Sequence, residues 1–252
     1  MRIDYPAPSH IPGLKALWKS SFDDTDEELE RFFRLCFSPE RCRCVDVAGQ
    51  AAAALYWFDT RLGKQRFAYL YAVATHPDYR NRGLCRALME DTLALLQKLG
   101  FSGAILKPET HALVRMYGAM GFVPGTGIRE FSCRAEGHPL SIRAVNSEEY
   151  GKIRQQLLPE GGVIQDSGDL QLLAAQAQLY AGEDFLLAAA AEGERLRGIE
   201  LLGNADAAPG ILTVLGLKSG SFRTPGSDTP FTMLCPLAEG CAVPSYFGIV
   251  LD

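Results

Sequence analysis

The sequence predicts an α/β fold in which a central mixed sheet is flanked by helices, with a smaller second half built on a related plan. Three observations predict it. Apolar residues alternate between strand-like runs and helical spacing along the first 135 positions. A strand at Phe67–Ala74, a loop, a helix at Gly83–Leu99 and a strand at Phe101–Leu106 make a β-loop-α-β unit, whose two strands must run parallel. Finally, Ile142, Tyr150, Ile153 and Leu157 repeat the spacing of Ile3, Ile11, Leu14 and Trp18 at a constant offset of 139. Two domains are expected, at 1–136 and 137–252.

In chain order, Ile11, Leu14 and Trp18 share one face of a helix predicted over 11–20. Thr25 followed by Glu28 is a capping box, and Leu29, Phe32, Phe33 and Cys36 supply the apolar stripe of the helix it opens. A β-hairpin follows, Cys44–Val47 and Ala51–Phe58 about a turn at Ala48-Gly49-Gln50. After the strand at Phe67–Ala74, the helix from Gly83 carries Leu84, Leu88, Leu95 and Leu99 and stops at Gly100. Thr110–Met120 forms a further helix, closed by Gly121 before Phe122. In the second half, Phe185–Ala191 and Arg195–Leu202 repeat the hairpin about Glu192-Gly193, and 203–209 and 219–230 are turn-rich breaks.

Composition narrows the function. Of 252 residues, 47% are apolar and 22% charged, the balance of a soluble globular protein. No run of about 18 apolar residues exists to span a membrane, and the N-terminus has no apolar stretch of the secretory kind. Seven cysteines without a Cys-x-x-Cys, and four scattered histidines, predict neither a metal site nor a disulfide framework. Reduced thiols in a cytoplasm account for them. Residues 1–137 carry a net charge of +2 and residues 138–252 one of −7, a poor balance for nucleic acid.

The chemistry concentrates at Tyr69–Leu88. A buried strand runs through a basic turn straight into a long helix, whose first N–H groups lack intrahelical acceptors and whose dipole is positive there. Gly83 allows close backbone approach, and Arg80, Arg82 and Arg86 add charge, which makes a site for a phosphate or pyrophosphate. Neither a dinucleotide Gly-x-Gly-x-x-Gly nor a Gly-Lys-Ser/Thr loop is present.

Pro77-Asp78-Tyr79-Arg80-Asn81-Arg82-Gly83-Leu84-Cys85 and Tyr117-Gly118-Ala119-Met120-Gly121-Phe122 together resemble the two signatures of the GNAT superfamily of N-acetyltransferases. The resemblance covers roughly residues 1–135 and implies a GNAT fold with acetyl-CoA as cosubstrate. It implies that the backbone of Val73, Ala74 and Thr75 pairs with pantetheine, while Asn81, Arg82, Gly83, Leu84, Cys85 and Arg86 hold the pyrophosphate. Cys85 departs from the usual Gly or Ala, which implies weakened cofactor binding, and Thr110 stands where many relatives carry Asn. The larger residue at position 85 and the repeated second half are similar to the enhanced-intracellular-survival group, without its sterol-carrier-like domain. The second half lacks an Arg-x-x-Gly turn and is expected not to bind the cofactor.

The same resemblance implies direct attack of a primary amine on the thioester. Val73 or Ala74 would supply the N–H for the oxyanion, and Tyr117 the proton for the thiolate. Glu109 and His111 are candidate bases, and Asp23, Asp24, Asp26 and Glu27 candidate contacts to a cationic acceptor. The second half is expected to shape the acceptor pocket. The acceptor, a small-molecule or protein amine, and the choice between monomer and homo-oligomer are left open. The alternatives are a non-catalytic acyl-CoA-binding or regulatory module, and a structural protein that docks an acidic partner through the basic turn.

Overall fold

The computed structural model of the protein describes residues 2–138, 140–165 and 168–250. It divides into two compact units. The first comprises Met1–Thr60, Lys64–Val123 and Met233–Ala242, and the second Arg61–Gly63, Pro124–Thr232 and Val243–Asp252.

The first unit opens with β1 (Arg2–Asp4), α1 (Ile11–Lys19) and α2 (Asp26–Leu35). The Thr25–Glu28 capping box forms in full, each side chain satisfying the other residue's amide. Then come β2 (Cys42–Val47) and β3 (Gln50–Leu62), joined at Ala48 and Gly49, both left-handed with φ of 55° and 83°. Two successive positive φ values give a tight turn whose twist matches the strands it links. β4 (Gln65–Thr75), α3 (Leu84–Lys98), β5 (Gly103–Leu106), α4 (His111–Gly118) and the short β6 (Val123–Pro124) follow. β4 and β5 are parallel, as the crossover through α3 requires.

The buried face of α3 is Leu84, Leu88, Met89, Thr92 and Leu96. The predicted stripe therefore needs correcting at its end, where Leu99 caps the helix and is 44% exposed. A period of 3.6 carries the inward face from Leu88 through Thr92 to Leu96. α1 and α2 meet the sheet through an aromatic cluster in which Trp18 touches Phe32, Tyr56 and Tyr71.

The second unit contains β7 (Gly127–Arg134), β8 (Arg143–Ala144), α5 (Ser147–Leu157), α6 (Gly168–Gln176), β9 (Gln178–Ala181), β10 (Phe185–Glu192) and β11 (Arg195–Gly203). Beyond them lie α7 (Ala208–Val214), β12 (Ser219–Pro225) and β13 (Thr229–Pro230), while β14 (Met233–Pro236) returns to the first unit. The predicted hairpin is β10–β11. The break expected at 219–230 is instead largely strand: β12 lies parallel to β11 and antiparallel to β7. Its buried positions are Gly220, Phe222 and Thr224, so the period of two was concealed by small and polar residues. A Cβ on Gly220 would stand 3.0 Å from both the Leu196 carbonyl oxygen and the Leu212 side chain, which is why the strand has no larger residue there.

The two seven-stranded sheets share one order. The first runs β1-β2-β3-β4-β5-β14-β6, and the second β8-β9-β10-β11-β12-β7-β13. Each has its parallel pair at the fourth and fifth strands, followed by an antiparallel sixth. The sixth strand of each sheet comes from outside the consecutive run that builds the rest. β14 pairs with β5 from Met233↔Leu106 to Pro236↔Gly103, and β7, next in sequence after the first sheet, pairs with β12.

Candidate active site

Three local features shape the site. The first lies in β4, where Ala72 has a left-handed φ of 48°. A non-glycine residue there costs on the order of 1–2 kcal/mol, so the surrounding pairing must hold it. β4 pairs with β5 over Phe67–Tyr69 against Gly103–Ile105, short of this residue. Beyond it, the His76 N–H donates to the Ala52 carbonyl at 2.9 Å, toward β3. Alternation along a strand turns the Ala74 N–H the same way, and those of Val73 and Thr75 toward the side that β5 does not pair.

The second feature is the turn and helix start. His76 Nδ1 accepts from the Asp78 N–H at 3.3 Å, Tyr79 donates its hydroxyl to Gln50 Oε1 at 3.1 Å, and Arg80 Nε donates to the Thr75 carbonyl at 3.1 Å. These bonds hold the chain while Asn81 and Gly83 adopt φ of 60° and 77°. Asn tolerates this region and Gly occupies it freely. Gly83 is the N-cap of α3, and no side chain among the described residues caps that end. The first intrahelical bond is Ala87 N–H to the Gly83 carbonyl, which leaves the N–H groups of Leu84, Cys85 and Arg86 without helical acceptors. A virtual Cβ on Gly83 meets nothing within 4 Å, so the space before this helix start is open. Left-handed residues beside a helix N-terminus form a concave array of amides suited to an anion.

The third feature is α4. Thr110 accepts from the Leu113 N–H at 3.2 Å and caps the helix. At its end Gly121, with φ of 92°, lets Phe122 turn back until its ring lies 5.8 Å from that of Tyr117. The spacing Tyr-x-x-x-Gly-Phe is therefore one local device, a glycine stop with an aromatic brace. Tyr117 is 6% exposed, and its hydroxyl has no hydrogen bond among the described residues. Burial first, and the Cys85 thiol second, push its pKa well above the ordinary phenol value.

A cavity of about 620 Å³ joins the three features. Val73, Ala74 and Thr75 form one wall, and Arg80, Asn81 and Gly83–Arg86 one end. Tyr117 closes it with Leu113 and Met116, neighbouring positions on the same face of α4, and with Met120 just past the helix end. Ser21 and Phe22, just past α1, complete it. The sequence reading named neither of these two, since a Ser-Phe pair after a helix carries no signal of its own. The methionines were legible only as packing.

Other predicted residues lie apart from the cavity or are engaged locally. The Arg82 guanidinium sits over the Tyr79 ring at 5.3 Å, and Arg86 donates to the Ala119 carbonyl at 3.3 Å while facing Glu90. Glu109 pairs with Lys107 at 2.7 Å, and neither it nor His111 lines the cavity. Asp26 pairs with Lys19, Glu27 with Arg31 at 2.8 Å, and Asp24 accepts from the Trp18 indole N–H at 2.6 Å. In the second unit the equivalent helix start, α7, follows an Asn204–Asp206 turn with no arginine and has Pro209 in its first turn.

A family model described as an acetyltransferase (GNAT) domain matches residues 2–125. The chain carries a GNAT acetyltransferase domain. No curated protein sequence matches the chain. Solved structures similar to it include a GCN5-related N-acetyltransferase from Anabaena variabilis, at 16% identity and a TM-score of 0.75, covering 94% of this chain and 73% of that one. Eis1 from Mycobacterium abscessus is similar at 12% identity and 0.67, covering 94% and 74%. A GCN5-related N-acetyltransferase from Sphaerobacter thermophilus aligns over 97% and 98% at 12% identity and 0.57. These alignments run through both halves, so the chain shares the fold of these proteins beyond its GNAT domain as well. The cavity of the GNAT domain lies wholly within the first unit.

Proposed function

We propose that the GNAT domain transfers an acetyl group from acetyl-CoA to a primary amine by direct attack, with Tyr117 as general acid. The observation that carries this reading is the uncapped start of α3, opening into a cavity that Tyr117 closes. The GNAT family uses acetyl-CoA, and the residues present suit that substrate. The amides of Leu84, Cys85 and Arg86, with the left-handed turn at Asn81 and Gly83, would hold the diphosphate; Arg80 and Arg82 add positive charge. Val73 and Thr75 turn free strand edge toward the cavity, where the amides of pantetheine would extend the sheet.

Between the two candidate oxyanion donors, alternation favours Val73, because Ala74 shares the β3-facing side with His76. One such donor is worth about 10²–10³ in kcat. The departing thiolate takes its proton from the Tyr117 phenol, which burial keeps protonated. A positioned general acid contributes about 10²–10⁴. Cys85 lines the cavity at a half-buried position beside the uncapped helix start, which supports binding despite the departure from Gly or Ala.

Thiol release from acetyl-CoA over a panel of small-molecule and peptide amines, with the parent and Tyr117→Phe, tests the proposal. Phe is expected to lower kcat by about 10²-fold or more while the affinity for acetyl-CoA is kept. If the parent binds acetyl-CoA but acetylates no amine, and Phe changes nothing, the domain is an acyl-CoA-binding module and the reading fails.

A further inference from the structure

Arg86 stands where a helix ordinarily avoids a cation. It is the third residue of α3, in a first turn without acidic residues, and the positive end of the helix dipole opposes its charge there. Its guanidinium is engaged elsewhere. Nη1 donates to the Ala119 carbonyl at 3.3 Å and lies 3.7 Å from the Glu90 carboxylate, one turn further along α3. Ala119 is the C-cap of α4, two residues past Tyr117. A cation that opposes the dipole of α3 at its start complements the dipole of α4 at its end.

The hydrogen bonds at the end of α4 show what this contact completes. The last carbonyls of a helix have no acceptor role left within it and must find other donors. The Tyr117 carbonyl accepts from the N–H groups of Met120 and Phe122 at 2.9 and 3.2 Å, and the Gly118 carbonyl from that of Gly121 at 3.2 Å. The next carbonyl in line, that of Ala119, accepts from Arg86. The segment that turns Phe122 back toward the Tyr117 ring is thus closed by a side chain from α3. Tyr117 also packs in one apolar cluster with Leu84 and Leu88 of α3. The start of α3 and the tyrosine both line the cavity, and Arg86 ties together the helices that carry them.

We propose that Arg86 is a positioning residue for Tyr117: through the Ala119 carbonyl its guanidinium keeps the phenol within reach of the thioester sulfur, while only its backbone N–H serves the diphosphate. The inference rests on the reading of Tyr117 as general acid in an acetyl-CoA site. A general acid acts only within hydrogen-bond reach of the atom it protonates, and a misplacement of about 1 Å costs rate without costing binding.

Arg86→Met and Arg86→Lys in the full chain, each alone and combined with Tyr117→Phe, test this with two measurements: the Kd of acetyl-CoA, and the rate of thiol release with acetyl-CoA and amine both saturating. Methionine is expected to lower the rate about 10-fold with the Kd unchanged. Lysine, a cation that can reach the same carbonyl, is expected to keep most of the rate. In the Tyr117→Phe background methionine should slow the reaction no further, because residues that act as one unit are not additive. An equal fall in both backgrounds would mean that Arg86 acts independently of the tyrosine, as a merely structural residue would, and overturns the proposal. So does a weakened Kd with the rate kept, which makes the side chain a ligand of the diphosphate. So do an unchanged rate with methionine and a lysine variant as slow as the methionine one. A parent that releases no thiol, or a Tyr117→Phe variant as fast as the parent, sinks the general-acid reading itself, and those two controls tell that failure apart.

Discussion

Tyr117 shows how much a single residue's role depends on what lies around it. Its motif was legible because the motif is local: Gly121 must be left-handed for Phe122 to reach the tyrosine ring, and both residues lie within five positions of it. The burial of the ring, the free hydroxyl and the nearby Cys85 were not legible, since each depends on how α3 and α4 meet the sheet. A pH prediction follows at this scale. Burial raises the phenol's pKa, so its neutral form is favoured in the native state. The stability this contributes is complete below pH 10, the unfolded value, and is lost only as pH rises through the higher native value. If Tyr117 is the proposed general acid, its proton stays available across the working range. The rate of acetylation is expected to rise with pH as the amine loses its proton and then to hold level to pH 10. A decline of kcat beginning near pH 8 or 9 would contradict the assignment of Tyr117.

At the scale of elements, α3 was predicted almost to its ends, and the proposed anion site lies at its N-terminus. The sequence held three arginines near that end, and the structure gives them different surroundings. Arg80 braces the turn through the Thr75 carbonyl, Arg82 lies over Tyr79, and Arg86 is drawn toward Ala119 and Glu90. On the proposed reading, helix amides, with charge from the turn, make the anion site, and reversing the charge at Arg82 should oppose a diphosphate without disturbing the helix. Acetyl-CoA at 100 times its Kd is worth about 2.7 kcal/mol of stability, a rise of about 5–10 °C in the melting temperature for a chain of this size. Arg82→Glu is expected to remove most of that rise and leave the ligand-free melting temperature within about 1–2 °C of the parent. A full shift in the variant would move the diphosphate elsewhere. In the acidic segment Asp24, Thr25, Asp26 and Glu27 serve the Trp18 indole, a cap and ion pairs at short range.

For the molecule as a whole, the two sheets repeat one order, and each is completed by a strand from outside its own consecutive run. The second unit is also tied together by a fully buried ionic network. Arg154 meets Glu200 through two bonds of 2.8 and 3.0 Å, and Tyr150 and Tyr246 donate to the same carboxylate at 2.9 and 3.0 Å. Arg154 also donates to Gln165, which bonds the Ile249 backbone, so the network fastens residues 246–249 to α5 and β11. With both partners present each charge is solvated by protein groups; with one removed the other is stranded. Arg154→Met is expected to cost about 3–5 kcal/mol, measured by chemical denaturation, whereas Arg154→Met with Glu200→Leu should recover part of the loss. A single variant as stable as the parent would show that the pair contributes little.

By itself the sequence determined the four helices of the first unit, the hairpins, the capping box, the glycine stops and the strand-turn-helix that marks the GNAT domain. These are set by sterics and hydrogen bonds acting within a few residues, which composition and spacing record directly. The tertiary structure alone decided that Ser219–Pro225 is a strand, that β14 joins β5 in the first sheet, that Ala72 is left-handed where β4 leaves β5, and that the Ser21 hydroxyl has no partner among the described residues. Each of these is a relation between segments far apart in the chain. Whether a carbonyl, a sheet edge or a hydroxyl ends up paired is fixed by what the folded chain brings beside it, and no local pattern carries that information.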